Sequence, residues 1–262
     1  MDNEMAADHM GESGAVRRLW DVRVGSVASG THAYRRDLVT AAVVEAVLLT
    51  LLWAYLGLGL AGWVAGIAFT VFGGLVLGAA FRRSGTWSLS PADRVTLTRL
   101  TLIGGITAIA ADRIGGSAPA VMVALAAVAL ILDGVDGRVA RRTGTASEFG
   151  ARFDIEADSF LVLVLSIFVA PSLGAWVLAI GCMRYAYVAA SWRQPWLRTP
   201  LRPLYARKVV AVIQGVVLVV VSADLLPRSV EFAVVALALF LLICSFGESV
   251  WWQWRHGRNL AA

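Results

Sequence analysis

Few of the residues that build thiol, imidazole or disulfide sites are present in this sequence. There are two cysteines, Cys182 and Cys244, each inside an apolar run with no CxxC spacing and no histidine neighbour. That arrangement excludes a disulfide framework and a thiolate zinc site, and leaves both as packing residues. The three histidines, His9, His32 and His256, are scattered and form no ligand set. Lysine is almost missing, with Lys208 alone among 23 basic residues; with heavy Ala, Val and Gly usage this points to a GC-rich coding genome and says nothing of mechanism. The opening stretch MDNEMAADHMGES lacks the positive and apolar regions of a cleaved signal, so the later apolar segments are expected to direct insertion themselves. No internal repeat is convincing.

Charge is sparse too, at 16% of 262 residues, against 58% hydrophobic residues and a mean hydropathy of +0.72. A net charge of +5 would suit a nucleic-acid binder, but the basic residues fall in loops between apolar runs, where anionic lipid and topology account for them. No nucleic-acid partner is expected.

What remains is an all-α integral membrane protein. Uncharged runs such as 61–81 and 159–183 are long enough to cross a hydrocarbon layer of ~30 Å as helices of ~20 residues. Apolar runs and turn signals predict about eight spans, near 38–60, 62–81, 95–112, 117–141, 149–170, 173–192, 206–224 and 229–252. Of the 23 basic residues, only Arg113 and Arg228 fall in the turns on one side and Arg184 lies within a span. The positive-inside rule therefore places both termini and the charged 133–158 stretch on the cytoplasmic side, in what reads as a bacterial cell membrane. The organisation expected is a cytoplasmic arm (1–37), a transmembrane hairpin (38–81), a linker (82–94), a six-helix domain (95–252) and a cytoplasmic tail (253–262). Trp251, Trp252 and Trp254 end the last span as an interfacial belt. Glu45, inside the hairpin, reads as a locally paired or interfacial carboxylate.

The stretch DGVDGRVARRTGTASEFGARFDIEAD, residues 133–158, gathers six carboxylates and four arginines. Asp133 and Asp136 are three apart at the end of one span, and Asp154 and Asp158 are four apart at the start of the next. Each pair shares a helix face. A tight turn between the spans makes the helices antiparallel neighbours, so four carboxylates converge and would repel one another without a positive partner. A divalent metal, or two, is the economical answer, and oxygen ligands alone favour magnesium over zinc. A belt of helix caps and Arg–Asp pairs is the plainer alternative. Gly137 and Gly150 allow close approach, for a ligand or simply for helix packing. Glu148 and Glu156 stand outside this set.

The pattern Asp133-x2-Asp136-Gly137-x2-Ala140-Arg141-x8-Gly150-x3-Asp154-x3-Asp158 resembles the signature of the CDP-alcohol phosphotransferase family. The resemblance covers about residues 91–252. Ahead of it, ADRVTLTR (92–99) is similar to the PNxxTxxR entry of many members; Thr96 and Arg99 match, while Asp93 replaces the usual Asn and Ala92 the usual Pro. It implies a six-helix core, preceded here by the two-helix hairpin, that moves a phosphatidyl-type group from CDP-diacylglycerol to an alcohol and releases CMP. It further implies two Mg2+ ions, with Mn2+ as the alternative, on Asp133, Asp136, Asp154 and Asp158, with Asp158 as general base. Asp93, Thr96, Gly137, Arg141 and Ser147 would contact the CDP-lipid, and a homodimer is suggested.

For the acceptor, Arg184 within a span and Arg202, Arg207 and Lys208 before the next are candidate ligands of a phosphorylated alcohol such as glycerol phosphate or inositol phosphate. An ion or proton transporter using the intramembrane carboxylates is the alternative, and a noncatalytic lipid-nucleotide binder a third class.

Overall fold

A computed structural model of the chain describes residues 35–84, 91–143, 148–198 and 205–257; within these, the side chains of 80–84, 91–92, 135–143, 148–149, 195, 198, 205–206 and 256–257 lie outside the description. Eight helices run through the described residues, one for each expected span. They are α1 (Arg35–Leu56), α2 (Leu60–Ser84), α3 (Pro91–Asp112), α4 (Ala120–Thr143), α5 (Glu148–Leu173), α6 (Leu178–Arg193), α7 (Tyr205–Ser222) and α8 (Arg228–Gly257). Short 3-10 turns at Ala175–Val177 and Pro195–Arg198 flank α6.

Helix ends depart from the expected bounds where turn chemistry acts. Gly57 adopts φ +68, which closes α1 at Leu56 rather than near residue 60. Pro91 opens α3 four residues before the expected 95, because a first-turn proline has no amide hydrogen to strand. Before α8, the Pro227 carbonyl accepts from the amides of Val230 (2.8 Å) and Glu231 (3.1 Å).

Four helices, α1, α2, α3 and α8, are long and apolar enough to cross a membrane unaided. The apolar part of α4 is shorter, spanning Ala120–Gly134. The two kinds of helix bury differently. On α1, α2 and α8 large apolar side chains such as Val43, Leu51, Phe72, Leu75, Leu237 and Phe240 point outward, a surface that suits lipid and not water. By contrast α3 and α5 carry the core: Ile103, Ile106 and Ile109 on α3 and Leu161 and Leu165 on α5 are wholly buried, against Met122 and Ala129 of α4 and Leu218 of α7. α3 therefore packs on α2, α4 and α5 at once, and α5 on α6 and α7.

The α1–α2 hairpin is tied to α3 at both ends. At one, Arg94 pairs with Asp37 (3.3 Å). At the other, the Gly59 amide donates to Asp112 Oδ1 (2.8 Å) and Arg113 donates to the Leu56 carbonyl (2.9 Å). α1 and α3 thus run in the same direction with α2 returning between them. Midway, a Cβ on Gly104 would lie 2.3 Å from Glu45 Oε1, so the carboxyl of Glu45 sits directly on the α3 backbone. Glu45 is buried and, among the described residues, neither of its oxygens has a hydrogen-bond partner, which corrects the expectation of a paired or interfacial carboxylate: it lies against the α3 backbone and a mostly apolar cavity.

Gly104→Val should force α1 away from α3 and lower the thermal unfolding midpoint in detergent by about 2–10 °C. A midpoint equal to that of the wild type would show that the close approach does not exist.

Candidate active site

On α3, Asp93, Thr96 and Arg99 recur at intervals of three and are all buried, at 5%, 3% and 0% exposure. This spacing sets each beside the next on the helix surface, and Arg99 is the one that reaches α4 and α5. An arginine with no exposed surface inside a bundle requires partners. Three aspartates are among those of Arg99: its guanidinium lies 3.1 Å from Asp133 of α4 and makes direct ion pairs with Asp154 and Asp158 of α5. The four-residue spacing on α5 brings Asp154 and Asp158 to one face, as the sequence requires.

The three aspartates can each offer one oxygen such that all lie within 4.8 Å of one another. Their side chains keep 25%, 33% and 35% exposure, whereas Arg99 keeps none. The guanidinium is therefore the floor of the site and the carboxylates are its walls, open on the side away from the core. Three negative charges share one positive charge here, leaving an excess of two among the described residues. All-oxygen donors with that excess fit a hard divalent cation, and the exposed edges of the carboxylates give it a way in.

Other sequence-predicted residues divide as follows. Asp136, Gly137 and Arg141 lie further along α4, with side chains outside the described residues, and Ser147 and Arg202 are wholly outside them. Asp93 and Thr96 are buried in the turns of α3 that precede Arg99. Arg184 of α6 is not brought to the aspartates; it pairs with Glu156 of α5, which faces away from them. Arg207 and Lys208 sit in the first turn of α7, half-buried and exposed respectively.

Sequence reasoning matched Arg99 to a motif but gave it no role. The missed signal was its own position: an arginine eight residues inside a helix whose next turns are apolar must meet carboxylates, and the only dense supply lies at 133–158.

A family model described as CDP-alcohol phosphatidyltransferase matches residues 89–244, well over half of the chain. The chain belongs to the CDP-alcohol phosphatidyltransferase family. That match begins with α3 and includes all three clustered aspartates and Arg99, so the membrane bundle that holds this site is the family's domain. Two curated relatives are similar over shorter stretches, both named CDP-diacylglycerol–serine O-phosphatidyltransferase from Helicobacter pylori: strain 26695, 54% identical over 52 residues, and strain J99, 55% over 49. These stretches cover 20% and 19% of the chain. The chain likewise spans only about a fifth of the length of each relative. No solved structure matches.

Arg99→Gln keeps a polar side chain but removes the charge, leaving three carboxylates unneutralised. We expect its unfolding midpoint to fall by about 5 °C or more, and added Mg2+ to recover more of the loss than the wild type gains. Equal midpoints with no Mg2+ response would rule out the guanidinium as the counter-charge of the cluster.

Proposed function

We propose that the protein transfers the phosphatidyl group of CDP-diacylglycerol to a small alcohol and releases CMP. The observation that carries this reading is the partly open aspartate cluster seated on a buried arginine, inside the part of the chain that matches the family. The acceptor hydroxyl oxygen attacks the phosphorus on the lipid side of the diphosphate; the bond from that phosphorus to the bridging oxygen breaks, and CMP leaves with the oxygen. Asp158 takes the hydroxyl proton. Asp133, Asp154, Asp158 and, from the signature, Asp136 would hold Mg2+ or Mn2+, which supplies charge neutralisation for the diphosphate and the leaving CMP. Arg99 holds Asp154 and Asp158 in place from beneath, so that neither must move when the cation arrives. Asp93, Thr96, Gly137, Arg141 and Ser147 are assigned to the CDP moiety, Arg141 by its capacity for two parallel hydrogen bonds to phosphate.

On the acceptor, the pairing of Arg184 with Glu156 bears directly. A guanidinium already neutralised by a carboxylate is a poor receiver for a phosphate dianion, so an acceptor without a phosphate is the better match. The relatives' serine-transferase names agree with this choice. We therefore favour serine, with a phosphorylated alcohol held by Arg202, Arg207 and Lys208 as the second reading, supported by the basic run at the start of α7. The site opens on the cytoplasmic side by the distribution of basic residues, in a bacterial cell membrane and in a protein that the family resemblance suggests is a homodimer. A transporter would need polar groups continuing across the bilayer. Beyond the aspartates, the described buried residues of α4 and α5 are apolar except Ser166, whose hydroxyl donates to the Val162 carbonyl of its own helix, so the buried faces of these two helices offer no chain of polar groups.

Membranes containing the protein should release CMP from CDP-diacylglycerol when serine and Mg2+ are added, and chelation should stop the release. CMP formed only with glycerol phosphate would reject the serine choice, and no CMP with any acceptor would reject the enzyme.

Asp158→Asn should lower turnover by about 10²–10⁴-fold with CDP-lipid binding retained. Arg184→Ala should raise the KM for serine more than that for CDP-diacylglycerol; equal changes would remove Arg184 from the acceptor site.

A further inference from the structure

At the opposite end of the bundle from the aspartates, the turns between α3 and α4 and between α7 and α8 and the end of α5 enclose a cavity of about 380 Å3. It lies fifteen residues or so along α4 from Asp133, about 20 Å at the rise of an α-helix, and shares no residue with the site described above. Room for roughly ten waters is far more than a bare ion requires. The chemistry of its lining is mixed. Asp224, Glu231 and Arg228 contribute charge, and Ser117, Ser172 and Ser222 contribute hydroxyls.

Glu231 is the residue that needs explaining. It is 4% exposed, its Oε1 has no hydrogen-bond partner, and it lines this cavity. A buried carboxylate oxygen without a donor is costly, and more so when the group is charged. The nearby Arg228 guanidinium donates to the Ser172 carbonyl and makes no hydrogen bond to Glu231 Oε1, so that oxygen still lacks a donor. Asp224 closes α7 in the left-handed region, at φ 52, and adds a second carboxylate at the mouth. Two carboxylates against one arginine leave the cavity negative by one, so its missing partner is a cation that donates hydrogen bonds.

The rim says where that cation comes from. Ile114, Leu225, Val230 and Phe232 around the turns are exposed apolar side chains. Trp176 packs edge-on against Phe232 (5.1 Å between ring centres) with its indole N–H on the Leu173 carbonyl (2.8 Å), the placement typical of tryptophan at a membrane boundary. A polar, net-negative cavity at head-group depth with apolar flanks takes an amphiphile. We propose that it binds the head group of a zwitterionic phospholipid carrying a primary ammonium, in the leaflet opposite the aspartate cluster, with the ammonium between Glu231 and Asp224 and the phosphate toward Arg228. A primary ammonium offers N–H donors to Glu231 Oε1, which a quaternary ammonium cannot, and Phe168 is the one aromatic residue in the lining, too few for a cage around a quaternary group. A head group with an additional carboxylate would face an already negative cavity.

The test uses the full-length protein in phosphatidylglycerol nanodiscs doped with phosphatidylethanolamine or phosphatidylcholine, reading bound lipid by native mass spectrometry and the unfolding midpoint in parallel. Phosphatidylethanolamine should be retained about tenfold over phosphatidylcholine and alone raise the midpoint. Glu231→Gln and the exposed Asp224→Asn should each bring retention down toward the phosphatidylcholine level while unfolding like the wild type in phosphatidylglycerol alone. Equal retention of the two lipids, undiminished retention in both variants, or the same midpoint rise with free phosphoethanolamine in place of the lipid would each overturn the proposal. Should Glu231→Gln fail to fold, Asp224→Asn decides by itself.

Discussion

Everything in the carboxylate site depends on one buried cation. Arg99 sits on α3 without exposed surface and reaches Asp133 on α4 and Asp154 and Asp158 on α5. In a bundle whose core contacts are mostly apolar, such an ion cluster is a register device. Sliding α3 by one residue against α4 or α5 would strand a guanidinium or a carboxylate in a medium of low dielectric, at a cost of several kcal/mol. Helix–helix contacts among Ala, Val, Leu and Ile hold the bundle together; the cluster selects which faces meet.

The same arrangement prepares the site for a cation. A guanidinium cannot be deprotonated in a protein, so the positive charge beneath the aspartates is permanent, and it keeps three carboxylates close at a price smaller than full mutual repulsion. Among the described residues that single charge does not balance three, so the site stays attractive to a further cation. Stability and affinity are thus set against each other by charge count: a second arginine at the floor would make the bundle more content and the metal less welcome.

Much of the fold was legible because a bilayer permits few solutions. Eight apolar runs become eight helices since every backbone group must be satisfied within its own segment, while helix ends shift by up to five residues, at α1 and α3 where Gly57 and Pro91 impose local geometry and at α6 where a 3-10 turn precedes the helix. The aspartate pairs were legible from spacings of three and four. Pairings between distant segments were not. Nothing in the spacing near Arg184 announces that Glu156, discarded from the metal set for pointing away from the aspartates, is its partner; helix rotation about α5 decides that. Likewise Glu45 was expected to find a partner, but its packing on Gly104, with no partner among the described residues, follows from how closely α1 approaches α3, a distance no local pattern encodes.

The order of the helices along the chain carries a consequence for biosynthesis. Arg99 emerges from the ribosome before any of its three aspartate partners, so α3 must enter the membrane with an uncompensated charge worth about 2.5–3.5 kcal/mol near its centre, or wait at the boundary until α4 and α5 follow. The α1–α2 hairpin is already in place by then, offering Asp37 to Arg94 and the Gly59 amide to Asp112, and can steady α3 through that interval. Once α5 is made, the described charge cluster is whole, and α6, α7 and α8 are added to a finished centre.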